Sequence, residues 1–285
     1  MNQPLPAEVL NEALPYIQQF KGHTFVIKYG GSAMTDPEPL TGVIRNVLLL
    51  QLVGIKPILV HGGGPEIDRW LARLGKEKRT VDGLRVTDEE SMEIVEMALA
   101  GKANKALVSE IERAGGKAVG LSGRDGSLFV AEPISAELGR VGKVVLVNPE
   151  VVTMACSADF IPVICSVAAD VQGGPLNVNA DSAAAALAGA LQATKLILLS
   201  DTDGVFTDKE DASTLMSSLT PDQAQDLIST GRADQGMIPK LEAALAAIED
   251  GVPYVHFLNG SVPNAVLVEV FTDQGIGTMM TRVPS

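Results

Sequence analysis

Apolar positions along the chain switch between two periods, and the switches mark out the elements. Residues 24–28, Thr-Phe-Val-Ile-Lys, are a β-branched and aromatic run that predicts a buried strand. Similar runs at residues 57–60, 117–121, 161–166, 196–199, 254–258 and 278–282 predict further strands. Between them the apolar residues take helical spacing, as Val43, Val47, Leu50 and Val53 do over residues 39–53. Helices are likewise predicted over residues 65–74, 87–100, 104–114, 183–190, 241–250 and 263–271. Strand pairs are expected around residues 128–131 and 144–147, and one helix with surface loops within the polar stretch 208–235. Strand followed by helix through most of the chain predicts an α/β fold around a mostly parallel open sheet.

Punctuation residues sharpen this outline. Asp82-Gly83 between β-type residues is a hairpin signal that presents Arg85 on its far strand. Thr87, followed by acidic residues, reads as a helix cap. Pro65 suits a first helical turn after the glycines that precede it. A leading segment, residues 4–20, places Val9, Leu10, Ala13, Leu14, Ile17 and Phe20 near helical spacing, with Pro15 expected to kink or break it. Two readings of this helix stand: it packs on its own domain, or it docks on another subunit. No internal repeat or long linker appears; a more polar composition after Gly173 is the one hint of a lobe boundary.

Charge narrows the partners. The 285 residues carry 22 Lys and Arg against 35 Asp and Glu, a formal net charge of −13, which argues against nucleic acid. At 4% aromatics there is little to build a stacking platform for single strands. No apolar run reaches the ~20 residues of a membrane span, so no membrane association is expected. The N-terminus has no signal-peptide pattern, so the expected compartment is the cytoplasm, or the plastid stroma for a processed mature chain. Cys156 and Cys165 lie in apolar stretches without CxxC spacing and read as reduced core thiols. Three scattered histidines offer no metal cluster.

Candidate chemistry gathers where predicted strands end. Lys28 is followed by Gly30 and Gly31, and His61 by Gly62, Gly63 and Gly64. Glycine lets backbone N–H groups approach an oxyanion, and lysine adds a mobile positive charge. Asn177, Asn179 and Asp181 alternate on one face of an extended segment. Asn179 or Asp181 would also serve as a plain helix cap. The loop Ser200, Asp201, Thr202, Asp203, Gly204 and Val205 follows another buried strand, as a nucleotide site does. Lys240 falls in a predicted first helical turn, where a cation is disfavoured unless an anion binds there.

Two lysines, two glycine-rich turns and one aspartate suit phosphoryl transfer from a nucleotide to an anionic acceptor. Such a reaction needs positioning and charge neutralisation more than covalent chemistry. Arg85 would clamp an acceptor carboxylate. A carboxylate acceptor is already ionised, so no general base is needed, and His61 is read as structural. The chain has neither G-x-x-x-x-G-K-[ST] nor G-x-G-x-x-G after its first strand, which excludes a P-loop kinase and a dinucleotide-binding dehydrogenase.

The set Lys-Tyr-Gly-Gly, Val-His-Gly-Gly-Gly-Pro, Asp-Gly-Leu-Arg-Val-Thr, Asn-Val-Asn-Ala-Asp, Leu-Leu-Ser-Asp and Gly-Met-Ile-Pro-Lys, in this order and spacing, resembles the amino-acid kinase superfamily and, within it, the acetylglutamate kinases of arginine biosynthesis. The resemblance implies a three-layer αβα sandwich. It implies an N-terminal helix over residues 1–20 for oligomerisation and regulation. Residues 21–174 would form an N-acetyl-L-glutamate lobe, and residues 175–285 an ATP and effector lobe. Lys28 and Lys240 would stabilise the transition state, with Asp181 as their organiser. Gly63, Gly64, Arg85, Asn177 and Asn179 would hold the acceptor. Gly30, Gly31, the 200–205 loop and Met237 would hold ATP, with Mg²⁺ carried on the nucleotide. Tyr16 in the leading helix and the run Glu269–Thr278 resemble the arginine-inhibited, hexameric members. By that likeness Tyr16, Lys209, His256, Glu269, Gly275 and Gly277 would form an arginine site. The chain departs from the family's pattern at Ser261 and Asn264. A PII-type signalling protein is a further possible partner, with Arg232 as a contact. The alternative is another superfamily member, or a catalytically silent nucleotide or amino-acid sensor of the same fold.

Overall fold

The structure, a computed structural model, describes residues 6–30, 37–81, 83–208, 210–273 and 275–282. Eight strands form one sheet: β1 (Thr24–Tyr29), β2 (Lys56–His61), β5 (Ala118–Ser122), β8 (Ile161–Cys165), β11 (Lys195–Ser200), β12 (Ser218–Leu219), β13 (Tyr254–Asn259) and β14 (Thr278–Thr281). Their order is β12-β14-β13-β11-β1-β2-β8-β5, and every neighbouring pair is parallel except β13–β14. The lysine strand β1 and the strand before the 200–205 loop, β11, are therefore adjacent at the centre.

Period-two alternation sorts the sheet into two buried faces. Phe25, Ile27 and Tyr29 of β1 join Ile197 and Leu199 of β11 in one core. There they meet helices α1 (Pro6–Phe20), α2 (Pro37–Leu52), α5 (Asn104–Arg113) and α10 (Ala265–Phe271). Val26, Leu196 and Leu198 point the other way, into a core with α7 (Ala180–Ala190), α8 (Pro221–Ser229) and α9 (Ile238–Glu249). This is the expected three-layer αβα arrangement. Alanines fill much of α7, so it packs closely on β1 and α9. Lys28 shares a face with Val26, so the alternation itself aims it at the α7 layer.

A second, smaller sheet closes on itself: β6 (Phe129–Pro133), β7 (Val141–Val147), β9 (Val167–Ala169) and β10 (Pro175–Val178). Only the β6–β7 pair of it was expected. The hairpin forms as β3 (Thr80–Val81) and β4 (Leu84–Arg85), with Gly83 at φ +77 in its turn. Helix α3 (Gly64–Arg73) begins with Pro65 in its first turn, and α6 (Glu150–Ser157) was not anticipated.

Three expectations are corrected. Pro15 lies inside α1 without breaking it. Ala13, Tyr16, Ile17 and Phe20 pack on the core, and this burial outweighs the one forfeited N–H bond. The cap of α4 (Glu89–Glu96) is Asp88, whose carboxylate accepts from the Ser91 N–H at 2.7 Å, while the Thr87 hydroxyl donates to the Arg85 carbonyl. The helices expected at residues 87–100 and 104–114 run together through a π-helical segment, Met97–Ala103. Among the described residues no helix is long and apolar enough to cross a membrane.

Candidate active site

At the carboxyl end of the sheet three charges meet. Lys28 leaves β1 and reaches Asp181 Oδ1 at 2.9 Å. Lys240, in the first turn of α9, has its Nζ 3.9 Å from Asp181 Oδ2 and donates to the Gly236 carbonyl at 3.1 Å. Asp181 sits in the first turn of α7, where the helix dipole favours a carboxylate. Among the described residues its Oδ1 has no directed hydrogen bond, so the Lys28 contact is ionic. Lys28 is 6% exposed and Asp181 5%, so little water screens that pair. Two cations around one anion leave a local excess of one positive charge in a chain of net −13.

Both glycine turns are tight for stated reasons. A β-carbon on Gly30 would lie 2.7 Å from Lys28 Nζ, so the absent side chain leaves room for the ammonium. Gly31 falls outside the described residues. A β-carbon on Gly63 would meet Leu99 Cδ2 at 2.5 Å, and one on Gly62 would lie 3.4 Å from Ala180 Cβ, next to Asp181. The second turn thus borders the lysine–aspartate centre, and Gly64 opens α3 with no side-chain cap among the described residues.

Arg85 is held beside this turn. Its Nη2 donates to the Gly64 carbonyl at 3.4 Å and is ion-paired with Asp68, while Nη1 is buried with no hydrogen-bond partner among the described residues. A buried, unmatched guanidinium nitrogen suits an incoming carboxylate oxygen. Asn177 donates to the Thr87 hydroxyl at 3.2 Å, and that hydroxyl donates to the Arg85 carbonyl, so Asn177 and Arg85 are tied together. Asn179 has a different employment: its Oδ1 caps α7, accepting from the Asp181 and Ser182 N–H groups at 2.8 and 3.1 Å.

Asp201, Thr202, Asp203, Gly204, Val205 and Met237 line a cavity of about 210 Å³ between the end of β11 and the start of α9. Ser200 stands behind it, its hydroxyl 3.0 Å from that of Thr202. Asn259, which the sequence reading missed, donates to Asp203 at 2.7 Å and also lines the cavity. Its cue was the end of a strand parallel to β11. Among the described residues no group of three His, Cys, Asp or Glu side chains gathers as a metal site. A larger groove of about 630 Å³ lies between α2, α5 and α10, away from these charges.

A second polar cluster is buried on the opposite face. His256 lies 2.7 Å from Glu269 through Nδ1 and 3.0 Å from Lys195 Nζ through Nε2. The Lys195 ammonium donates to Nε2, so the Nδ1 proton goes to Glu269. Burial pushes Lys195 down to about 8. Burial also lowers His256, against the opposing pull of Glu269. Burial would raise Glu269, but hydrogen bonds from His256 and the Ile276 N–H, with Lys195 nearby, hold it below the usual range. Gly275 sits next to Glu269, and Gly277 packs against the Phe257 carbonyl. Tyr16 donates to Asp273 from α1, and Phe20 lies 5.0 Å below Lys195. Lys209 falls outside the described residues; the lysine found at this cluster is Lys195, which the sequence reading passed over. Its one signal was a charged residue opening an otherwise apolar strand. Cys156 and Cys165 are pushed up to about 11 and 12 by burial, as inert thiols are.

An amino-terminal lysine strand, glycine turns at strand ends and an aspartate shared between two lysines define a phosphoryl-transfer site on an αβα sandwich. The chain belongs to the amino acid kinase family, whose sequence model matches residues 23–259. Within it, the chain is 48% identical to the acetylglutamate kinase of Methanocaldococcus jannaschii, over 97% of this chain and 96% of that one. Among solved structures it is similar to the N-acetylglutamate synthase of Neisseria gonorrhoeae complexed with coenzyme A and N-acetyl-glutamate, at 27% identity and a TM-score of 0.87. That match covers 99% of this chain and 65% of the synthase. The same synthase complexed with coenzyme A and L-arginine matches at a TM-score of 0.83.

Proposed function

We propose that this enzyme transfers the γ-phosphoryl group of ATP to the side-chain carboxylate of N-acetyl-L-glutamate, giving N-acetyl-L-glutamyl 5-phosphate and ADP. The observation that carries it is the Lys28–Asp181–Lys240 cluster beside two glycine turns. A carboxylate oxygen attacks the γ-phosphorus, and the bond from that phosphorus to the β,γ-bridging oxygen breaks. Negative charge spread over the equatorial oxygens meets the two ammonium groups and the backbone N–H groups. Asp181 keeps the lysines from repelling each other and fixes where each points. The acceptor is ionised at neutral pH, so no base is spent on it.

In this reading residues 21–174, with Asn177, hold the acceptor, and Arg85 takes its α-carboxylate. Residues 175–285 hold the nucleotide at the 200–205 loop, with Mg²⁺ arriving on its phosphates. Hydroxylamine trapping of the acyl phosphate from ATP, Mg²⁺ and N-acetylglutamate tests it. Turnover with aspartate or glutamate but not with acetylglutamate would refute the substrate, and ligand binding without turnover would leave a sensor.

Feedback inhibition by L-arginine is the second part of the proposal. The Glu269 carboxylate, bonded to His256 with Lys195 nearby, offers a buried anion for a guanidinium, Tyr16 reaches Asp273 a few residues further on, and the relation to the arginine-bound synthase supports this. A homohexamer, a trimer of dimers joined through α1, accords with Leu14 standing half exposed on that helix. Light scattering tests it. Arg232, ion-paired with Asp226 at the rim of the nucleotide cavity, would be the contact for a PII-type protein. The enzyme would work in the cytoplasm or the plastid stroma.

A further inference from the structure

His61 is a buried imidazole at the reacting end for which the transfer scheme has no task. It ends β2 and is fully enclosed, 0% exposed. Its Nδ1 lies 2.7 Å from the Gly62 carbonyl oxygen, and its Nε2 lies 3.1 Å from Asn104 Nδ2. An amide nitrogen only donates, so Nε2 accepts and the ring proton belongs on Nδ1, from which it is given to the carbonyl. Burial drives the imidazole down to about 4, so this neutral form persists across the physiological range.

The trans peptide makes that bond directional. In a planar amide the Gly62 C=O and the Gly63 N–H point in opposite directions. Tying the carbonyl to His61 therefore aims the Gly63 N–H away from the imidazole, in a turn whose Gly62 lies close to Ala180. Asn104 secures the imidazole in turn. Its Nδ2 also faces the Val163 and Leu121 carbonyls at 2.8 and 3.2 Å, and its Oδ1 accepts from Lys105 at 3.0 Å. Asn104 directly follows the π-helical segment Met97–Ala103, whose Leu99 presses on Gly63. Such local widening is frequent at functional sites. Here it delivers two supports, Leu99 and Asn104, to one turn.

We propose that His61 and Asn104 are positioning residues for the acceptor, locking the Gly62–Gly63 peptide so that the Gly63 N–H meets the reacting oxygens. This rests on the reading that the second glycine turn holds oxygens of the acceptor or of the moving phosphoryl group. A merely space-filling His61 makes a different forecast. In His61→Asn the side-chain amide nitrogen can occupy the Nδ1 position and still donate to the Gly62 carbonyl. In His61→Gln the amide falls at the Nε2 position, closer in size to histidine but without that donor. Asn104 faces three acceptors with two protons, so losing Nε2 leaves it satisfied.

The experiment measures kcat and KM for acetylglutamate and for ATP in full-length wild type, His61→Asn and His61→Gln, with thermal melts alongside. The Asn variant is expected within about threefold of wild type. The Gln variant should lose about ten- to a hundredfold in kcat/KM for acetylglutamate, with KM for ATP unchanged, since misaiming one such donor costs somewhat less than deleting it. Equal activity of the two variants, or losses that follow the melting temperatures, overturns the inference. Wild type inert towards acetylglutamate overturns the underlying reading as well. Nitrogen-15 NMR of the wild-type histidines gives a check independent of variant folding. His61 should carry its proton on Nδ1 throughout pH 5.5–8, and an Nε2 proton would refute the scheme.

Discussion

Two lysine–carboxylate clusters sit on the same sheet, at opposite ends and on opposite faces. At the carboxyl end Lys28, Asp181 and Lys240 form the proposed reacting centre under α7 and α9. Towards the amino end Lys195, His256 and Glu269 lie under α1 and α10. The difference is in how each is neutralised. The first has two cations for one carboxylate, so it holds an unspent positive charge for an anionic ligand. The second interposes a histidine between lysine and carboxylate, and burial presses the lysine towards its neutral form. One end keeps a positive charge to offer an anion. The other is internally matched, and a ligand must compete with bonds already made there, which suits a regulatory site better than a catalytic one.

The comparison is broken most severely at Lys28. Lys28→Ala removes a cation proposed to meet the moving phosphoryl group, and kcat is expected to fall by about two to three decades. The fold should persist, because Asp181 keeps Lys240 within reach. Hydroxamate formation measures the loss and circular dichroism the fold; retained turnover would unseat the carboxyl-end assignment. A subtler cut is Gly30→Ala. The new methyl group would fall 2.7 Å from Lys28 Nζ, so the flexible ammonium moves and the backbone stays. A loss of roughly tenfold in kcat with an unchanged melting temperature is expected, since a misplaced donor still contributes.

At the other end the sharpest test is Lys195→Met. The folded lysine titrates near 8 against 10.5 when unfolded. Between those values the unfolded chain binds more protons, so this group makes stability rise with pH over that window and leaves its full cost below pH 8. Methionine removes the buried charge and should stabilise the ligand-free protein by roughly 1–3 kcal/mol at pH 7. The gap between variant and wild type should narrow as pH climbs from 8 to 10.5. Thermal melts across that range measure it, and arginine should no longer slow the variant. A variant less stable than wild type at pH 7 would show that Lys195 gains more from Glu269 than burial takes away.

The carboxyl end was far more legible in the sequence than the amino end. Lys28, the glycine turns and Lys240 announce themselves because each breaks a local rule: a charge closing an apolar strand, glycines where a helix should start, a cation at a positive helix end. Lys195 breaks a similar rule at the start of a strand, but ligands in parallel sheets were sought only at strand ends. Lys209 entered through the family likeness alone and lies outside the described residues. The Asn104–His61 pair is a tertiary contact between residues 43 apart with no local signature. The Pro15 expectation failed because a propensity rule was applied to a helix whose buried face decides the matter. The closed four-stranded sheet was half seen, because β9 and β10 are too short for their period to register.

The smallest effect divides the carboxyl end itself, between groups that face a ligand and groups that hold others in place. Asn179 stands two residues from Asp181 and shares the alternation that suggested an acceptor contact. Its Oδ1 is nonetheless spent on the Asp181 and Ser182 N–H groups. Asn179→Ala should therefore cost about 1 kcal/mol of stability, as lost helix caps do. It should leave KM for acetylglutamate within about twofold, because Asp181 remains braced by both lysines. Denaturant titration and steady-state kinetics on the same preparation separate the two quantities. A large rise in KM with little loss of stability would return Asn179 to the acceptor site and show that its amide nitrogen, not its oxygen, is what the enzyme uses.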